Sequence, residues 1–164
     1  MNTKVIESLE LRGLTTKLFD ILDQHSECIK RQVACILFDK DYRILTYGFN
    51  HSLNGHKCNE CFSKNNNGIY TSKFDNETHK EFSKKAEIHA EVHAISSLFK
   101  IDCSKLDSIS MLVNFSPCDN CMKLIKYSPI TKIYYLSKYH ESYLFDLSNI
   151  EKIKVTLKGN IHHG

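Results

Sequence analysis

No stretch of this sequence is apolar for the roughly 18 residues that a membrane span needs. Its first residues, MNTKVIESLELRGLTTKLF, are broken by Glu7, Glu10 and Arg12 where a secretory leader requires an unbroken apolar core. These two absences predict a soluble, cytoplasmic protein with no membrane partner. An excess of charge of one sign is missing too. The 22 Lys and Arg stand against 19 Asp and Glu, a formal +3, and the cations are scattered rather than clustered. A nucleic-acid polymer is therefore not expected as a partner, whereas a small anion is compatible with this balance. No internal repeat is visible.

With 164 residues, 41% of them hydrophobic and 25% charged, the chain predicts a single globular domain over residues 1–164 with one core. It carries seven cysteines, at positions 28, 35, 58, 61, 103, 118 and 121, an odd number that cannot pair completely within one chain. Four of them form two CxxC pairs, Cys58/Cys61 and Cys118/Cys121. In a reducing compartment that pattern favours metal over disulfide, and over a redox dithiol unless a thioredoxin-like βαβ unit surrounds it. Cys35 and Cys103 are expected to be buried small apolar residues, the common fate of a free cysteine.

Apolar residues at 11, 14, 18, 21 and 22 repeat with a helical period, predicting a first helix over 11–28. QVACILFDK (32–40) and RILTYGFN (43–50), separated by a turn at DYR, predict a hairpin. From 50 to 86 the chain is polar, rich in Asn, Lys and Ser, and shows neither period. Ordering such a segment would cost roughly 1 kcal/mol or more per residue, so it is either disordered or stapled. Beyond it a helix is expected over 88–100, a strand over 108–115, a helix from Ser116, a strand over 132–137, a short helix near 141–149 and a last strand over 152–158. A hairpin followed by α-β-α-β-α-β predicts a three-layer α/β/α sandwich with a mixed five-stranded sheet.

The run NFSPCDNCMKLI reads as a helix start: Ser116 as N-cap, Pro117 at the first helical position, then Cys118 and Cys121 on one face. Unpaired backbone N–H groups there favour thiolates, and two thiolates are half of a tetrahedral zinc site. EIHAEVHAISSLF (87–99) can complete it. In mid-helix, His89 and His93 would share a face and Glu91 would swing about 200° away. If the helix instead begins near His89, then His89 and Glu91 can both point into a cleft, and His93 becomes a packing or pocket-wall residue. The zinc-protease motif HExxH is absent, because Glu does not follow His89 directly.

Together, HAE and PCDNC resemble the H-x-E…P-C-x-x-C signature of the zinc nucleobase deaminases. Within that superfamily the chain from Cys28 to about Leu147 is similar to deoxycytidylate (dCMP) deaminases. VACILFDKDYRILTYGFN resembles their first hairpin, EIHAEVHAI their zinc-binding helix, SPCDNCMKLI their cysteine helix and LSKYHES the segment after their fourth strand. The resemblance implies a catalytic Zn²⁺ held by His89, Cys118 and Cys121, a fourth position for water, and Glu91 as the residue that moves protons while dCMP becomes dUMP and ammonia. It further implies that Asn50 contacts the sugar, that the backbone at Ala90 and Ser116 reads the pyrimidine edge, and that Tyr139 lies near the nucleotide. A homo-oligomer and a deoxynucleoside triphosphate effector are also implied. Two departures stand out: His51 replaces the glycine after G-Y-N, and His93 replaces the family's Asn.

Several members of that family carry a second, structural zinc. Here Cys28, Cys58, Cys61 and His79 are its candidate ligands, with His56 or Asp75 as substitutes, and such an ion would close the polar segment. Two other functions compete with dCMP deamination. A free-nucleoside deaminase would need no phosphate-binding group, for which Lys57, Lys138 and His140 are the candidates. A zinc-stapled binding module without catalysis would function without Glu91. The long spacing between cysteines of riboflavin-pathway deaminases and the P-C-x-M-C-x-G-A run of tRNA adenosine deaminases are absent.

Overall fold

The computed structural model describes residues 9–25, 31–52, 63–64, 70–71, 87–139 and 142–156. Helix α1 (Leu9–His25) buries Leu11, Leu14, Leu18, Ile21 and Leu22, the apolar stripe of the sequence; Cys28, the expected end of this helix, lies outside the described residues. It is followed by β1 (Ala34–Phe38) and β2 (Ile44–Phe49), an antiparallel pair. Their turn is built on Asp39, whose Oδ1 accepts the N–H groups of Asp41 and Arg43 at 2.9 and 3.0 Å. Tyr42 adopts the left-handed region there, with φ of 61°.

Two-residue strands β3 (His51–Ser52), β4 (Ser63–Lys64), β5 (Tyr70–Thr71) and β6 (Glu87–Ile88) punctuate the polar segment that showed no period. β3 pairs with β6, so the segment's two ends are tied together next to β2, and β4 pairs with β5. Then come α2 (Ala90–Leu98), β7 (Ile109–Phe115), α3 (Asp119–Lys126), β8 (Ile130–Ser137), α4 (Tyr143–Leu147) and β9 (Glu151–Lys154). The last strand is shorter than the expected 152–158, although Val155 still donates to the Tyr135 carbonyl at 2.8 Å.

The main sheet has five strands in the order β2-β1-β7-β8-β9. β1 is antiparallel to both β2 and β7, whereas β7, β8 and β9 are mutually parallel, which makes the sheet mixed as expected. On one face α1 covers Ala34, Ile36, Phe38, Leu112, Tyr134 and Ile153. On the other, α2, α3 and α4 cover Cys35, Leu37, Met111, Val113, Ile133 and Tyr135. Both faces of β1 and β7 are buried, so these two strands are continuous apolar runs, whereas the edge strands β2 and β9 alternate. Cys35 is fully buried as expected. Cys103 is not: it is half-buried at the edge of the core, in the connection after α2.

Gly48 lets β2 and α2 meet closely. A Cβ there would collide with the Ala90 carbonyl oxygen and lie 2.6 Å from the Ala94 backbone nitrogen. The adjacent Thr46 hydroxyl donates to the Ala94 carbonyl at 2.9 Å and holds the two elements in register. We expect Gly48→Ala to destabilise the fold by about 2–3 kcal/mol, a fall of roughly 5–10 °C in Tm, because the collision is with backbone that cannot rotate away. Thermal unfolding checks this, and an unchanged Tm would show that α2 can retreat.

Candidate active site

The strand directions bring one set of ends together. β1 runs against β7, so its N-terminal end lies beside the C-terminal end of β7, and the C-terminal ends of β2 and β8 reach the same rim. Open α/β sheets place their sites at such a rim. Here α2 and α3 both begin there.

His89 is the N-cap of α2, in extended backbone with φ of −70° and ψ of 150°. The helix therefore starts after it, the second of the two arrangements that the sequence allowed. Cys118 in turn is the N-cap of α3, with φ of −69° and ψ of 169°, so α3 begins after Cys118 rather than at Ser116 and Pro117. The expected N-cap is used differently: the Ser116 hydroxyl accepts the Tyr139 N–H at 2.6 Å, while the Ser116 N–H donates to the Ser137 carbonyl at 2.9 Å. Ser116 thereby ties the end of β7 to the end of β8, and extended backbone at Cys118 turns that thiol toward His89.

His89 Nδ1 lies 3.5 Å from Cys118 Sγ and 3.4 Å from Cys121 Sγ. All three ligand atoms fall within 4.8 Å of one another, and among the described residues this is the one group of three or more His, Cys, Asp or Glu so arranged. In a tetrahedral site with Zn–S of about 2.3 Å and Zn–N of about 2.0–2.1 Å, the sulfur-to-nitrogen edge is about 3.5 Å. Both sulfur-to-nitrogen distances therefore fit a tetrahedral zinc ion. The donor set, one imidazole and two thiols, is that of a zinc site with one position left for solvent or substrate. His89 is exposed, Cys118 half-buried and Cys121 buried, so access is from the His89 side.

The three groups also shift one another's protonation. A hydrogen bond from Cys121 holds the Cys118 thiol down to about 4, against the opposing effect of burial and helped by His89. Cys121 is pushed up instead, by its bond to Cys118, by burial and by the Glu91 charge. The hydrogen bond with Cys118 raises His89 above the ordinary imidazole range. Glu91, one residue into α2, is 4% exposed, and burial raises its pKa against the lowering effects of Cys121 and His89. A buried carboxyl beside such a cluster has the position and the environment that a proton carrier needs.

The remaining expected site residues stand as follows. Asn50 is buried at the end of β2, where its Nδ2 donates to the Arg31 carbonyl at 2.7 Å and its Oδ1 accepts the Val33 N–H at 3.0 Å. Ala90 is fully buried. Tyr139 lies at the rim, half-buried. His93 is a packing residue: its Nδ1 accepts the Phe49 N–H at 3.3 Å, and its ring meets Phe49 and His51 edge-on at 4.9 and 4.6 Å. It thus holds the strand end that carries Asn50. Lys138 is exposed, with its Nζ 2.7 Å from Asp146. Cys28, Cys58, Cys61 and His79, with His56, Lys57, Asp75 and His140, lie outside the described residues.

One rim residue was missed. Arg31 is half-buried, its guanidinium carbon 4.2 Å from the Tyr139 ring centre and 5.0 Å from that of Phe115. No local pattern marks it, since a lone cation ahead of a strand is ordinary.

A mixed α/β sheet with a His/Cys/Cys cluster and a buried glutamate at the start of two helices is the constellation of the zinc nucleobase deaminases. Residues 11–137 match the cytidine and deoxycytidylate deaminase zinc-binding region, and the chain belongs to that family. Among its relatives, the deoxycytidylate deaminase of Enterobacteria phage T2 is 28% identical over 148 residues, covering 74% of this chain and 77% of its own. That of phage T4 is also 28% identical, covering 74% of this chain and 75% of its own. The fold is similar to the crystal structure of dCMP deaminase from cyanophage S-TIM5 in complex with dCMP and dUMP, with a TM-score of 0.63 and 22% identity over 92% of this chain and 100% of that one. It is also similar to the Rib2 deaminase of Aspergillus oryzae, with a TM-score of 0.53 and 15% identity over 92% of this chain and 85% of that one.

Proposed function

We propose that this chain is a zinc-dependent hydrolase that converts dCMP to dUMP and ammonia, serving pyrimidine deoxynucleotide metabolism in the cytoplasm. The observation that carries the reading is the His89 imidazole set 3.4–3.5 Å from two thiols, with buried Glu91 two residues along the chain. The relatives at 28% identity, both deoxycytidylate deaminases, support the choice of substrate.

In the net reaction the oxygen of one water bonds to the cytosine carbon that carries the amino group, and that carbon–nitrogen bond breaks. His89, Cys118 and Cys121 would hold the zinc, which supplies a Lewis acid that lowers the pKa of water from about 16 toward 7. Glu91 takes the water's proton and passes it to ring nitrogen N3, then carries a second proton to the departing amine. Its burial keeps those protons from exchanging with bulk solvent. The backbone of Ala90 and the carbonyl of Ser116, whose N–H is engaged by Ser137, read the pyrimidine edge. Asn50 contacts the sugar, and Tyr139 flanks the nucleotide.

Four further parts of the reading rest on resemblance and composition: one catalytic domain with an insertion at about 50–86, a homo-oligomer, a deoxynucleoside triphosphate effector, and a second zinc on Cys28, Cys58, Cys61 and His79. The test of the central claim is turnover. Purified protein with full zinc occupancy is expected to deaminate dCMP, followed by loss of cytosine absorbance and release of ammonia, and to process deoxycytidine, cytidine and CMP at least about 10-fold less efficiently. Turnover of the nucleosides alone would replace this reading with a nucleoside deaminase.

A further inference from the structure

Residues 31–34 are held by two asparagine side chains. Asn50 donates to the Arg31 carbonyl at 2.7 Å and accepts the Val33 N–H at 3.0 Å, and its own N–H donates to the Val33 carbonyl at 3.1 Å. Asn114 donates to the Gln32 carbonyl at 2.8 Å and accepts the Ala34 N–H at 3.0 Å. Alternate backbone groups of this short stretch thus meet amides on both sides. Its backbone is fixed before β1 begins, and it emerges at the rim that carries Ser116, Cys118 and Tyr139.

What this framework presents is the Arg31 side chain. The guanidinium lies over the rings of Tyr139 and Phe115, at 4.2 and 5.0 Å from their centres. Cation–π packing of this kind orients an arginine without using its N–H donors in hydrogen bonds. Among the described residues no carboxylate is ion-paired with it, whereas Lys138 on the same rim is neutralised by Asp146 at 2.7 Å. A pre-oriented guanidinium on the rim that carries the His/Cys/Cys cluster, packed on Tyr139, matches a phosphate, which accepts its planar fork with two parallel bonds.

We propose that Arg31 reads the 5′-phosphate of the substrate and so separates a nucleoside monophosphate from a free nucleoside. This rests on the reading of the site as a pyrimidine deaminase. Of the cations that the sequence offered for this role, Lys138 is paired with Asp146, and Lys57 and His140 lie outside the described residues. A phosphate site at Arg31 also gives Asn50 a second task, since the same amide that would face the sugar fixes the carbonyl of Arg31.

The test uses the full chain loaded with zinc and compares calorimetric titrations of dUMP and deoxyuridine, a pair that differs only in the phosphate and is not turned over. The unaltered protein is expected to bind dUMP at least about 30-fold more tightly than deoxyuridine, the scale of one or two charge-assisted hydrogen bonds. Arg31→Ala should shrink that ratio to about 3 or less. Arg31→Lys should leave it about 10-fold below that of the unaltered protein, because an ammonium supplies charge without the fork, and it carries the test if the alanine variant does not fold. A ratio retained in both variants, or no preference for dUMP in the unaltered protein, overturns the assignment. Turnover of dCMP in the same preparations separates the two claims. Preference for dUMP that depends on Arg31 without turnover would keep the phosphate site and reject the reaction, and turnover with the preference intact in the variants would do the reverse.

Discussion

Glu91→Gln is expected to lower kcat for dCMP by about 10³- to 10⁴-fold, the upper range for removing a positioned general acid–base group. The substitution keeps the side chain's shape and hydrogen-bonding reach but removes its ability to accept and return a proton. Zinc content should be unchanged, because the three atoms grouped closely enough to hold the ion lie on His89, Cys118 and Cys121 and not on Glu91. Tm should not fall, because a carboxyl whose ionisation burial opposes is replaced by a neutral amide of the same size. Kinetics, metal analysis and thermal unfolding on one preparation check all three. A variant that retained full function would instead mark the chain as a binding module that uses zinc structurally.

Removing the metal has the second large effect. After treatment with a chelator the activity should fall below detection and return with Zn²⁺ but not with Mg²⁺, since a site of one imidazole and two thiolates suits a soft tetrahedral ion rather than an octahedral, oxygen-seeking one. Tm should fall as well, because an ion that binds only the folded chain stabilises it by mass action. Cys121→Ser should reproduce the loss of activity permanently, since it removes one of the two thiols of the cluster, at a position 1% exposed. Metal counting also tests the second zinc. The unaltered chain should hold two ions, Cys121→Ser and Cys58→Ser should each hold one, and only the former should be inactive. A count of one in the unaltered chain, unaffected by Cys58→Ser, would reject the second site.

The elements were legible where they depend on neighbours along the chain. ACILF and ISMLVNF are unbroken apolar runs because both faces of β1 and β7 are covered, and α1 shows its stripe because one side packs on the sheet. Boundaries at the site were less legible. Ser116 has the composition of an N-cap, yet its hydroxyl accepts from Tyr139, 23 positions away, and Cys118 takes the capping position. Cys103 has the composition of a core residue, but it falls in a connection that only partly reaches the core. The alternatives for HAEVH turned on where α2 begins, and that is decided by β3 and β6 pairing just ahead of it.

By itself, the sequence determined the types of donor atom, their order and the class of fold, because thiol chemistry and hydrophobic periodicity act locally. Only the tertiary structure decided which groups meet. His89 and Cys118 stand 29 positions apart and Arg31 and Tyr139 farther still, yet they share one rim because β1 runs against β7 and β8 runs with it. Strand direction is set by the pairing of the whole sheet, a property that no short stretch of residues contains, and that pairing brings Arg31, a cation with no motif around it, to the mouth of the site.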